Sequence, residues 1–157
     1  GTGLARIKAY LSTRRTVGSW DDAVAVARTI AGGQFPALTE EDWRAFAEAY
    51  FAETAAGLAP QFDPNLLRIV ESIDLAEKAP ELWQQFDSLA AVPMLAIRGE
   101  LSDLLSERTL ADMAERHPLL EHLTVPGQGH PPLLRDKPTL ERIFAFAQRC
   151  EALGANG

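Results

Sequence analysis

Two short apolar runs closed by glycine limit this chain most: "VPMLAIRG" at residues 92–99 and "LLEHLTVPG" at 119–127. Each reads as a strand buried on both faces of a parallel sheet. Between them "SERTLADMAERH" has helical spacing, with Leu110, Met113 and Ala114 facing in. After them "PTLERIFAFAQRC" predicts a last helix with Leu140, Ile143, Phe144, Ala147 and Cys150 on its inner face. Residues 92–150 therefore predict β-α-β-α, and the crossover helix makes the two strands parallel neighbours in one sheet. Two parallel strands do not stand by themselves, because parallel sheets need several strands and cover on both faces. The missing strands must come from segments read below as helix, or from the rest of a larger sheet.

The first half reads as helices. Ser19 caps "WDDAVAVARTIA", with acids in the first turn and Trp20, Ala23, Ala27, Ile30 and Ala31 on one face. Thr39 caps the helix of "FPALTEEDWRAFAEAYFAET", where Trp43, Phe46, Ala47, Tyr50 and Phe51 recur at helical spacing and Gly57 and Pro60 end it. In "FDPNLLRIVESIDL" Asp63 is the cap and Pro64 the first helical residue. "APELWQQFDSL" predicts one more helix, stopped before Pro93.

Charge narrows the function classes. With a net charge of -7 and a pI near 4.9, neither a nucleic-acid groove nor a polybasic membrane anchor is expected. No apolar run approaches the ~20 residues that span a bilayer, and no signal peptide is visible, so a soluble cytoplasmic protein is the default. The start Gly1-Thr2-Gly3 reads as a cut edge. The single Cys150 excludes an internal disulfide. His117, His122 and His130 lack metal-ligand spacing, so no metal is expected.

In open α/β sheets, sites form at the carboxyl ends of the strands. Asp103 follows the first strand and His130 follows the second, in "PGQGHPP". Parallel strands open both loops on the same edge, where a carboxylate can fix the tautomer of an imidazole and stabilise its charged form. The plainer alternatives are a turn histidine and a helix cap, with Ser102 or Asp103 opening the helix after the first strand. Glu100 is a fallback acid. His117 reads as a structural residue at a helix end.

These residues carry a resemblance. "PMLAIRGELSD" and "LTVPGQGH" resemble the acid and histidine loops of the α/β-hydrolase fold, after the seventh and eighth strands of its sheet. The resemblance implies an α/β fold: residues 1–75 as a helical cap region and 76–157 as the C-terminal part of the core, with an incomplete sheet. It carries Asp103 over to the catalytic acid and His130 to the base. It implies a hydrolase acting on an ester or related small apolar substrate, with no cofactor. Haloalkane dehalogenases, epoxide hydrolases and carbon–carbon bond hydrolases of the same fold match this half as well. Trp43, Phe46, Tyr50, Trp83 and Phe86 are candidates to line the substrate pocket.

The family's nucleophile sits in G-x-S-x-G. Of Ser12, Ser19, Ser72, Ser88, Ser102 and Ser106, none has glycines two residues before and two after. The chain thus resembles half an enzyme, predicted inactive by itself. Its expected partners are the missing N-terminal half or another copy of the chain. A non-catalytic module that oligomerises through exposed strand edges is the rival from another class.

Overall fold

Threonine 39 starts a well-anchored helix. Its hydroxyl accepts from Asp42 N at 3.2 Å while the Asp42 carboxylate accepts from Thr39 N at 3.0 Å, a capping box that satisfies two end donors at once. In the computed structural model, which describes residues 2–12, 16–63, 65–72 and 80–154, that helix belongs to the first of two compact units, Gly1–Lys78 and Ala79–Gly157.

The first unit runs α1 (Thr2–Ser12), α2 (Trp20–Ala31), α3 (Glu40–Tyr50), β1 (Phe51–Thr54), β2 (Gly57–Pro60) and α4 (Asn65–Ser72). Ser19 caps α2 as expected, accepting from Asp22 N. Ala23, Ala27 and Ala31 of α2 are buried, as are Trp43, Phe46 and Ala47 of the helix packed against it. Small side chains on one helix let the aromatic rings of the other fill the interface. Phe46 is the hub of the rings, with centroids 5.7 Å from Phe35, 5.4 Å from Trp43 and 4.7 Å from Tyr50. Asp63 Oδ1 accepts from Asn65 N at 2.8 Å at the start of α4. Pro64 and residues 73–75, read as part of that helix, lie outside the described residues.

One expectation here is corrected. The helix read through Thr54 stops at Tyr50, and Phe51–Thr54 pairs antiparallel with Gly57–Pro60. The apolar spacing is the same either way, since Phe51 is buried in the strand as it would be in the helix. Distant pairing decides: Val17 and Leu58 exchange both main-chain bonds at 2.9 Å. Gly57, at φ +115, admits Val17, whose carbonyl oxygen would lie 2.7 Å from a Cβ there. Thr54 Oγ1 donates to Gly57 O and accepts from Ala56 N, closing the turn. This hairpin is a sheet of its own and supplies no strand to the parallel pair.

The second unit runs α5 (Trp83–Asp87), β3 (Met94–Gly99), α6 (Glu107–Arg116), β4 (Leu120–Val125) and α7 (Lys137–Gly154). The strands are parallel, with Met94 opposite Leu120 and Gly99 opposite Val125. The expected β-α-β-α is present. Ser106 caps α6, accepting from Thr109 N at 3.0 Å, so neither Ser102 nor Asp103 is the cap. The Ser102 hydroxyl is instead spent within its own loop, on Leu105 N.

Burial departs from the expectation of strands covered on both faces. Met94 to Ile97 are half-buried, and on α7 Leu140, Phe144 and Ala147 are exposed although read as inward-facing. Phe144 is 65% exposed. A parallel pair joined by no third strand among the described residues leaves apolar faces bare. What holds α7 to the pair is partly ionic: Glu121 of β4 takes Arg142 Nη2 at 2.6 Å and Arg149 Nη2 at 2.7 Å. The Arg149 hydrogen bond, with Arg142 beside it, holds the Glu121 carboxyl below the usual carboxylate range. Asp136 caps the same helix through Thr139 N, and that bond lowers its carboxyl likewise.

Candidate active site

The carboxyl ends of β3 and β4 are joined by a tight main-chain crossing. A Cβ on Gly99 would lie 1.9 Å from Gly129 O and 2.4 Å from Gln128 O, so the loop after β4 lies directly against the end of β3. Three bonds stitch the two loops: Glu100 N to Val125 O at 2.9 Å, Leu101 N to Gln128 O at 2.8 Å, and Gly127 N to Glu100 Oε2 at 2.7 Å. Gly127 takes the left-handed region at φ 63, which turns the chain over the strand end. The Gln128 side chain then accepts from Leu133 N at 2.7 Å and closes the loop around His130.

Asp103 and His130 are therefore carried on two adjacent, bonded loops at one edge of the sheet. Both are half-buried, and His130 Nδ1 is a buried atom. Glu100, the fallback acid, has its carboxylate on the Gly127 N–H, which gives it a holding function between the loops.

Sequence reasoning missed Arg98. This residue of β3 is 9% exposed, and its guanidinium donates to the carbonyls of Leu105 and Glu100, on either side of Asp103. The signal was a charge next to the last position of an otherwise apolar strand.

Of the five aromatic candidates, the two in the second unit lie away from these loops. Trp83 and Phe86 sit at the amino ends of the strands, a six-residue strand, or roughly 20 Å, from the carboxyl edge. There Arg116 lies over the Trp83 ring at 4.6 Å and Phe86 packs on His117 at 5.5 Å. His117 is 2% exposed; Leu119 N donates to its Nδ1 at 3.3 Å, so Nε2 carries the proton to Leu89 O at 2.9 Å. Its role is structural, held to main chain through both ring nitrogens. Trp43 and Phe46 are core residues of the first unit, 3% and 8% exposed. Tyr50 is half-buried, and burial pushes its phenol up, against the opposing charge of Arg6.

Among the described residues no three His, Cys, Asp or Glu side chains gather as a metal site. No helix among them is long and apolar enough to cross a membrane.

No family model matches the chain. It is 31% identical over 144 residues to the 3-hydroxybutyrate-oligomer hydrolase of Cupriavidus necator, covering 86% of this chain and 48% of that protein. The crystal structure of an α/β-hydrolase from Novosphingobium aromaticivorans superposes with a TM-score of 0.84 at 31% identity, over 94% of this chain and 52% of that one. The chain has the α/β-hydrolase fold. E-2-(acetamidomethylene)succinate hydrolase has the same fold, with a TM-score of 0.63 at 22% identity over 94% of this chain and 52% of that one. The chain spans about half the length of these relatives. Within that fold the β3–β4 pair is an incomplete sheet, which accounts for its half-covered faces.

Proposed function

We infer that this chain is the C-terminal portion of an ester hydrolase in which His130 is the general base and Asp103 orients it. The observation that carries this reading is the stitched crossing of the two loops, held by Gly99, Glu100, Leu101 and Gln128. A base and its orienting acid must keep their separation through a reaction cycle, and loops bonded along the main chain do so better than free ones.

His130 takes the proton of a nucleophile and hands it to the leaving alcohol. It then takes a proton from water to release the acyl group. The Asp103 carboxylate holds the imidazole in the tautomer that can accept that proton, and stabilises the imidazolium that results. The nucleophile and the donors that stabilise the tetrahedral oxyanion come from polypeptide outside these residues: an N-terminal portion of the fold, or a second copy of the chain. The Cupriavidus relative's name points to ester links between short hydroxy acids as the substrate class.

The 157 residues by themselves are expected to give no ester turnover, because general-base help without nucleophile or oxyanion donors is weak. Supplying an N-terminal portion from an α/β-hydrolase relative and measuring release from p-nitrophenyl butyrate tests the reading. Turnover that survives His130→Ala unchanged rejects it.

A further inference from the structure

Asp103 lies in a loop whose two ends converge on one buried cation. Arg98 Nε donates to Leu105 O at 2.8 Å and Nη2 donates to Glu100 O at 2.9 Å. A guanidinium is planar and rigid, so two bonds from one head fix the separation of the two carbonyls. Inside this bracket the Ser102 hydroxyl accepts from Leu105 N at 3.0 Å and draws the turn tighter. Outside it, the Glu100 main chain and carboxylate bind Val125 and Gly127, so the bracketed loop is also fixed to the loop of His130. Burying a charged head is unfavourable unless its donors are satisfied. The preceding residues Met94, Leu95, Ala96 and Ile97 meet the needs of the strand with apolar side chains. Packing of β3 therefore gives no reason for an arginine at this position; the loop does.

We propose that Arg98 is a positioning residue: by bridging the carbonyls of Glu100 and Leu105 it holds the acid loop closed and sets the Asp103 carboxylate against His130. This rests on the reading of Asp103 and His130 as acid and base, and names what supports the acid. Arg98 touches main chain and acts through Asp103. Lysine keeps the charge, but a single ammonium on a flexible stem does not fix the spacing of two carbonyls. Methionine keeps the length and removes the donors.

The test uses the full chain with nitrogen-labelled histidines, whose ring-nitrogen signals report the tautomer of His117, His122 and His130 separately. Asp103→Asn defines the spectrum of a His130 that has lost its carboxylate. Arg98→Met is expected to give His130 that same spectrum, and Arg98→Met with Asp103→Asn no further change. Arg98→Lys is expected to fall between. His117, bonded through both ring nitrogens at the far end of the strands, keeps its signals throughout. The proposal is overturned if His130 in Arg98→Met matches the wild type, or if His117 changes with it, which marks a general loosening. Where Arg98→Met does not fold, the same two criteria are applied to Arg98→Lys. Should Asp103→Asn itself leave His130 unchanged, the acid–base pairing falls, and the role of Arg98 with it.

Discussion

Substituting Gly99 by alanine adds one methyl group where two main chains already touch. The new Cβ would stand 1.9 Å from Gly129 O, 2.4 Å from Gln128 O and 2.8 Å from the Gly129 carbonyl carbon. These are main-chain atoms, so no side chain can rotate away. To reach ordinary contact, the loop that carries His130 has to retreat by about 1.5 Å, since close-packed interiors have no slack to absorb it. Overpacking of that kind costs about 1–3 kcal/mol. The Leu101 N to Gln128 O bond stretches as the loop leaves, adding roughly 1 kcal/mol. We expect Gly99→Ala to lose about 2–4 kcal/mol in urea unfolding of the chain. In the complemented enzyme it loses on the order of 100-fold in ester turnover, as an ångström of misplacement does. Gly127→Ala is the control. It stands at φ 63 with nothing within 4 Å of its Cβ, so it carries the left-handed penalty alone, about 1–2 kcal/mol. If Gly99→Ala unfolds like the wild type, or costs less than Gly127→Ala, the loop does not lie against the strand end as described.

Other outcomes follow from the same contacts. His117→Ala opens a cavity beside Phe86 and leaves Leu89 O and Leu119 N unsatisfied, so a loss of about 2–4 kcal/mol is expected in thermal unfolding; a change under 0.5 kcal/mol would refute the two-sided bonding. Glu121 has a lowered carboxyl in the folded chain, so its contribution is present above the ordinary carboxylate value of about 4.3 and is lost as the pH falls through the lower folded value. Protection of the α7 amides, taken as the intrinsic exchange rate relative to the observed rate at each pH, is therefore expected to fall on acidification below about pH 4 in the wild type, and Glu121→Gln is expected to abolish that acid-dependent part. Identical acid profiles for the two would contradict the ionic tether.

What was legible in the sequence was local. The caps at Ser19 and Thr39 show in the residues because the bonds close within three positions. The β-α-β-α order shows because apolar run length and glycine punctuation differ sharply from helical spacing. The hairpin at residues 51–60 was hidden, because it depends on a partner, Val17, far away in the chain. The bare faces of β3 and α7 were hidden for the opposite reason: an apolar pattern says what a residue could bury against and not whether the partner is there. At the site, the two loops were legible from their glycines and their place after strands. The bracket around Asp103 was not, since Arg98 binds carbonyls, and which carbonyls reach it depends on the path of the loop.

A double-mutant cycle on ester turnover measures whether Asp103 and His130 act as one unit. In the complemented enzyme, Asp103→Asn and His130→Ala are each expected to lower kcat by about 10³–10⁴-fold, and the double variant to be no worse than the weaker single one. Losses that multiply in the double variant, or a single variant that turns over like the wild type, would contradict it.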